Sequence, residues 1–245
     1  MDILSSVASI LGYKAVLIAS TISPITIPMI SGAGGTLRPA NVLILGAGVA
    51  GLQAIATAKR LGAIVRAFDV RKASKTDVES LGAEFIDIEG AMDSSSAGGY
   101  AVEQDKAYLD KVDEILFNEA VNADIIITTA KIPGKRAPIL ISKKAVDAMR
   151  PDAVIIDLAA DTGGNCALTQ KGKTIVTDKR ITIVGDTRML GKIAKSASFL
   201  LANNFASFLT HYLANDDNDE ILNATKVITD GKVTNPRLVA EIENL

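Results

Sequence analysis

The chain has 245 residues, 48% of them hydrophobic but only 4% aromatic, and its 26 basic and 28 acidic side chains leave a formal charge of −2. That balance excludes intrinsic disorder, which needs low hydrophobicity and high net charge, and gives no general attraction to nucleic acid or anionic lipid. A single cysteine, Cys166, and a single histidine, His211, exclude an internal disulfide framework and point to no metal site; both read as packing residues.

In chain order, Leu4 to about Ile22 is mildly helical. The apolar stretch from Ala15 to Ile30 is too short for a membrane span of about 20 residues and contains Pro24 and Pro28. It reads as a helix end and a linker, and the chain as soluble. Asp2 and the lack of a basic n-region argue against a secretory signal. The run Ser31-Gly32-Ala33-Gly34-Gly35, closing at Pro39, is a linker by composition.

From Asn41 the pattern becomes short apolar runs alternating with longer mixed segments. Val42–Leu45, Ile64–Phe68, Glu84–Ile88, Ile125–Thr129, Val154–Leu158 and Ile181–Val184 read as buried strands. Val49–Leu61, Lys75–Leu81, Glu103–Val121 and Ser142–Met149 read as the helices between them. Such alternation implies right-handed crossovers and a mainly parallel sheet buried on both faces, in the order 3-2-1-4-5-6. The residues leading up to Val184 alternate enough to make a hairpin. A helix is expected from about Ile193 to Leu213, then a polar break at Asn215–Glu220 and a helix-like tail at Pro236–Leu245. The expected fold is therefore α/β: a doubly wound, Rossmann-type parallel sheet with helical N- and C-terminal segments from an incomplete second domain. The expected divisions are a connecting helix and linker over 1–40, a nucleotide-binding domain over 41–190 and a C-terminal helical segment over 191–245.

The central chemical signal is Asn41-Val-Leu-Ile-Leu-Gly46-Ala47-Gly48-Val49-Ala-Gly51. In this pattern Gly46 serves a tight turn out of the strand, Gly48 a close approach of backbone to a pyrophosphate, and Gly51 close packing of the next helix on the sheet. The diphosphate would lie over the unpaired N–H groups at that helix's N-terminus. GxGxxG alone is weak, but here it follows a strand, opens a helix and is answered by Asp69, about 20 residues on. A carboxylate there accepts both ribose hydroxyls of NAD and repels the 2′-phosphate of NADP; Arg71 and Lys72 work against that choice. NAD(H) is the cofactor expected. Met92 to Tyr100, rich in Ser and Gly, reads either as a surface connection or as a lid hinged at glycines with Tyr100 as its contact. Asp161-Thr-Gly163-Gly164-Asn165-Cys166 follows the fifth strand, where ligand-facing loops emerge.

The sequence resembles the alanine dehydrogenase/transhydrogenase superfamily, and within it the NAD(H)-binding components of proton-translocating NAD(P) transhydrogenases. The stretches that carry the resemblance are Leu4-Ser-Ser-Val-Ala-Ser-Ile-Leu-Gly-Tyr-Lys-Ala-Val16, the glycine motif through Gly62, Asp69-Val70-Arg71 and Val78-Glu-Ser-Leu-Gly82. Gly98-Gly99-Tyr100, Ile127 to Lys135 and Asp157 to Cys166 continue it. The resemblance implies that Gly46, Ala47, Gly48, Val49 and Gly51 hold the diphosphate and that Asp69, Val70 and Arg71 hold the adenosine ribose. It implies that Gly99 and Tyr100 belong to a mobile loop over the cofactor, and that Asp2 and Ser5 end a loop orienting the nicotinamide. Asp2, Ser5 and Tyr100 are thus the catalytic candidates. Hydride transfer needs no nucleophile, only an oriented ring and excluded water.

The implied activity is direct hydride transfer to NADP⁺ held by a partner component, coupled to proton movement through a membrane component. Homodimerisation and a cytoplasmic position, peripheral at the inner face of the cytoplasmic membrane, follow from the same resemblance. The family's nicotinamide loop opens with Arg and Gln just before the position of Asp2. The remainder of the first domain is therefore expected as a separate polypeptide, ahead of a misplaced start, or lost. Lys131 stands where the family has Leu, close to the expected nicotinamide, and an ammonium buried there would be costly unless paired. Alanine-dehydrogenase-like chemistry and a non-catalytic NAD(H)-binding role are the alternatives.

Overall fold

The structure, a computed structural model, describes residues 1–88, 106–132, 134–215, 219–235, 238–239 and 242. It divides into two compact units, one of Leu4–Ala197 and one of Met1–Ile3 with Ser198–Leu245.

The larger unit opens with helix α1 (Ile3–Ile22), which crosses into it at Leu4, and continues through a short hairpin, β1 (Ile30–Gly32) and β2 (Gly35–Leu37). It then alternates β3 (Asn41–Leu45), α2 (Val49–Arg60), β4 (Ile64–Phe68), α3 (Ser74–Ser80), β5 (Glu84–Phe85), α4 (Lys106–Asn122), β6 (Ile125–Thr128), α5 (Lys143–Ala148) and β7 (Val154–Asp157). β8 (Thr174–Val176) and β9 (Thr182–Val184) complete the sheet, whose order is β5-β4-β3-β6-β7-β9-β8. All neighbours pair in parallel except β8, which runs antiparallel to β9 at the edge. Without that edge strand the order is the expected 3-2-1-4-5-6, and β8–β9 is the expected hairpin.

Two-sided burial explains the apolar strands. Val42 and Ile44 face one core with Ala54, Ile55 and Ala58 of α2, while Leu43 and Leu45 face the other with Val112 and Leu116 of α4 and Val146 of α5. Each fully buried Ile or Leu is worth about 1.5–3 kcal/mol. Small residues then bring the outer helix in: α1 contributes Ala15, Val16 and Ala19 to the first core, and a Cβ on Gly12 would lie 2.0 Å from the Ala50 carbonyl oxygen of α2. By length and mean hydropathy α1 is the one described helix able to cross a membrane, yet that face of it is built into the domain core. The apolar run from Ala15 to Ile30 is thus split, ending one helix at Ile22 and passing through bends to the strand that begins at Ile30.

That segment is more ordered than a linker. β1 and β2 pair Ile30 with Leu37 around a two-residue turn, with Gly35 at φ 112°. Behind it, Arg38 donates both terminal nitrogens to Asp124, at 2.6 and 2.7 Å, and the Asn41 amide donates to the same carboxylate. Burial pushes the Asp124 carboxyl up, but the bonds from Arg38 and Asn41, with Arg150 nearby, hold it below the usual carboxylate range.

Helix α6 (Ala194–Ala214) leads into the smaller unit, which contains α7 (Glu220–Thr225) and a hairpin of β10 (Ile228–Thr229) and β11 (Lys232–Val233). His211 is more than packing: its Nε2 lies 2.9 Å from the Asp219 carboxylate, which also caps α7 by accepting the Leu222 amide. No residue of α6 is buried, and Phe199, Phe205, Leu209, Tyr212 and Leu213 are all exposed. Most of the tail expected as helix from Pro236 lies outside the described residues, as does the start of the helix expected from Glu103.

Candidate nucleotide-binding site

The site is built where β3 gives way to α2. Gly46 takes φ 101°, and a Cβ on it would lie 2.6 Å from Thr129 Oγ1 and 3.0 Å from the Ala130 nitrogen, so both its backbone and its neighbours require glycine. Gly51 is required by packing alone, since its Cβ would stand 1.8 Å from the Gly46 carbonyl oxygen. Gly48 differs from both. It caps α2 in an ordinary extended conformation, φ −76° and ψ −171°, and a Cβ there would meet nothing within 4 Å. Nothing among the described residues explains why residue 48 lacks a side chain. The first turn of α2 carries no acidic residue, so its outward amides and positive dipole end are not self-neutralised.

Asp69 lies at the tip of β4 with its carboxylate almost fully buried. Its Oδ2 accepts the Ala47 amide at 2.8 Å and Arg71 Nη2 at 3.0 Å, while Oδ1 accepts the Arg71 amide and Nε, both at 2.9 Å. The acid that sequence spacing singles out is thus tied directly to the glycine turn. Arg71, which sequence reading set against NAD, here covers the carboxylate; its bond to Asp69 raises its pKa against the desolvation that lowers it. Val70 is half-buried and packs on the second core.

On the other side of the turn, Thr129 Oγ1 donates to the Gly46 carbonyl at 3.0 Å. Lys131 follows two residues later and pairs with Asp161 at 2.7 Å, with both side chains more than 40% exposed. The ammonium is thus neither buried nor unpaired, the two conditions under which it would be costly: Lys131 lies at the rim and meets a counter-ion from the loop after β7.

That loop, the Asp161 to Cys166 stretch singled out in the sequence, is organised by a residue to which the sequence assigned no role. Asp157, the last residue of β7, is fully buried and accepts five bonds: Thr128 Oγ1 and the Ala159 amide on Oδ1, and the Asn165 and Cys166 amides and Thr169 Oγ1 on Oδ2. Asn165, also fully buried, accepts the Ala130 amide and donates to the Ala130 and Pro138 carbonyls. The available signal was a carboxylate closing the otherwise apolar run Val154-Ile155-Ile156. Cys166 is buried beside it, with its thiol pushed up by desolvation.

The geometry therefore gathers Gly46, Ala47, Gly48, Val49, Gly51, Asp69 and Arg71 at the carboxyl ends of β3 and β4, with Lys131 beyond β6. Ser5 lies in the first turn of α1 and is half-buried, whereas Asp2 precedes that helix in the smaller unit. Gly99 and Tyr100, and the whole expected lid, lie outside the described residues. Among the described residues no group of His, Cys, Asp and Glu has the arrangement of a metal site.

Comparison with known proteins points in one direction. The family described as alanine dehydrogenase/PNT, C-terminal domain, matches residues 15–236. The first portion of the NAD(P) transhydrogenase alpha subunit of Rhodospirillum rubrum is 46% identical over 250 residues, covering 98% of this chain and 65% of that one. The crystal structure of transhydrogenase from Sinorhizobium meliloti matches with a TM-score of 0.84 at 41% identity, over 96% of this chain and 64% of that one. An L-alanine dehydrogenase structure matches with a TM-score of 0.77 at 22% identity, over 99% of this chain and 64% of that one, a likeness of fold alone. The chain spans about two thirds of the length of these relatives.

Proposed function

The chain belongs to the alanine dehydrogenase/PNT C-terminal domain family, and from that premise we propose that it is the NAD(H)-binding component of a proton-translocating transhydrogenase. The observation that carries this reading is the open face of Gly48. Of the three glycines in the turn, two are required by the protein's own atoms and the third is not, which is what close approach of a diphosphate to the backbone asks for. Asp69, fixed to that turn through the Ala47 amide, stands about where an adenosine ribose would end.

In this reading Gly46, Ala47, Gly48, Val49 and Gly51 line the diphosphate site, with the Gly46 and Ala47 amides given to the Phe68 carbonyl and to Asp69. Asp69 exchanges the side-chain donors of Arg71 for the ribose hydroxyls and keeps the Ala47 amide; Val70 packs beneath the ribose. Asp2, Ser5, Gly99 and Tyr100 are assigned to the nicotinamide and its cover from the family resemblance. Lys131 borders the same end of the site. NADH, when held there, would supply the hydride for NADP⁺ on a partner component. The protein's own task is to hold the ring in register and exclude water.

An NADP(H)-binding component and a membrane component complete the assembly, which works at the inner face of the cytoplasmic membrane with this component as a homodimer. The test is a calorimetric titration of the chain with NADH and, separately, NADPH, followed by reconstitution with the NADP-binding and membrane components. Saturable binding of NADH alone, and NADH-dependent reduction of an NADP analogue in the mixture, are expected. Absence of reduction with all components present refutes the transhydrogenase reading.

A further inference from the structure

Among the described residues, the carboxylate of Asp157 is the buried acid near the site that the proposed function leaves unused, and its surroundings are not those of a structural ion pair. All five of its donors are neutral, three of them backbone amides. A buried charge without a cation is costly, and an apolar residue like its neighbours Ile155 and Ile156 would fill the sheet position. What four of the five bonds, from Ala159, Asn165, Cys166 and Thr169, accomplish is to fold residues 159–169 back over the end of β7. Gly164 marks how tightly: it takes φ 80°, and a Cβ on it would lie 2.8 Å from Asp157 Oδ2 and 2.8 Å from Thr169 Cβ.

The product of this folding is the placement of Asn165. Its carboxamide grips both the amide and the carbonyl of Ala130, at 3.1 and 2.9 Å, and the carbonyl of Pro138 at 2.8 Å. Its own carbonyl accepts the Leu140 and Ile141 amides. Ala130 in turn lies against the glycine turn, for its nitrogen would be 3.0 Å from a Cβ on Gly46. A continuous line thus runs from Asp157 through Asn165 and Ala130 to Thr129, whose Oγ1 donates to the Gly46 carbonyl.

That line crosses the crevice between β3 and β6. There the strand order reverses, with β4 and β5 on one side and β6, β7 and β9 on the other. Ligands of open α/β sheets lie across such a crevice. Asp69 marks the β4 side, so the β6 side receives the other half of a dinucleotide. We propose that Asn165, set in place by Asp157, is a positioning residue for the nicotinamide half of the cofactor, acting through Ala130; this rests on the NAD(H) reading above. Asn165 does not touch the ring. It sets the height of the Ala130 peptide, the floor on which that half lies, relative to the diphosphate turn.

The test separates the two halves of the cofactor. Wild-type chain, Asn165→Ala and Thr169→Val are titrated calorimetrically with NADH and with ADP-ribose, which lacks the nicotinamide. Asn165→Ala is expected to weaken NADH by about tenfold or more while ADP-ribose stays within about twofold. Thr169→Val, which removes one half-buried donor to Asp157 and keeps the side chain's shape, is expected to weaken NADH alone by a smaller factor; it decides the matter if Asn165→Ala does not fold. Equal losses for both ligands, or no loss for either, overturn the proposal. Wild-type binding of ADP-ribose as tight as NADH overturns it while leaving the cofactor reading intact. Binding of neither by the wild type overturns both.

Discussion

Substituting alanine at Gly48 and, separately, at Gly51 separates a glycine kept for a ligand from one kept for the fold. At residue 48 the backbone is extended, a conformation alanine adopts freely, and the new methyl meets no atom within 4 Å. Two small effects oppose each other. Alanine is a poorer helix cap than glycine by roughly 0.5–1.5 kcal/mol, and it restricts the unfolded chain, stabilising by about 0.4–1 kcal/mol. The net change stays within about 1 kcal/mol, a Tm shift of about 2–4 °C at most for a domain this size. NADH affinity, by contrast, is expected to fall by about tenfold to a hundredfold, or about 1.4–2.7 kcal/mol, because the methyl occupies the path of the diphosphate. At Gly51 the methyl lies 1.8 Å from the Gly46 carbonyl oxygen, a backbone atom that cannot swing aside. Overpacking there costs about 1–3 kcal/mol, lowers Tm by several degrees and weakens NADH through the displaced helix. Differential scanning calorimetry and isothermal titration on the same preparations read both quantities. Wild-type NADH affinity in Gly48→Ala, or a loss of stability equal to that of Gly51→Ala, would refute the reasoning.

Asp69→Asn is expected to reduce NADH affinity at least tenfold and to narrow the preference over NADPH, read by titration with each nucleotide; an unchanged preference refutes the assignment of Asp69. Because the folded Asp124 carboxyl lies below its unfolded value, the stability it confers is complete above about pH 5 and is lost as pH falls through the folded pKa. Asp124→Asn should therefore cost about 1–3 kcal/mol at neutral pH and flatten the acid limb of denaturant-measured stability; an unchanged acid limb counts against the Arg38–Asp124 contact. The Lys131–Asp161 pair is exposed, so Lys131→Leu should change stability by no more than about 1 kcal/mol, measured by urea unfolding. The exposed Phe199, Phe205, Leu209 and Leu213 of α6 predict self-association in light scattering, reduced in Phe205→Glu; a sharply monomeric mass refutes it.

Wherever local patterns decide structure, the sequence alone is legible. Ile64–Phe68 is a strand with the bounds expected of it, and the other strands of the six lie within about two or three residues of theirs, because two-sided burial writes each one as a short apolar run. The glycine turn was readable for a related reason, since backbone conformation and close approach both demand a residue with no side chain. The hairpin at Ile30–Leu37 was hidden by the same chemistry. Its Ser-Gly-Ala-Gly-Gly composition reads as a linker, and its fully exposed strands have no buried face to impose alternation.

Composition and spacing thus determined the doubly wound architecture, its strand order and the acid that answers the glycine turn, all written in local periodicity. The tertiary structure alone decided what each charge meets. Asp69 is bonded to Arg71 and Ala47, Lys131 reaches Asp161 at the rim, and Asp157 is surrounded by five neutral donors that carry Asn165 to Ala130. Such partners lie up to dozens of residues apart, and hydrogen bonds are satisfied across space rather than along the chain. No local pattern distinguishes a carboxylate that will face a ligand from one that will organise the loop beside it.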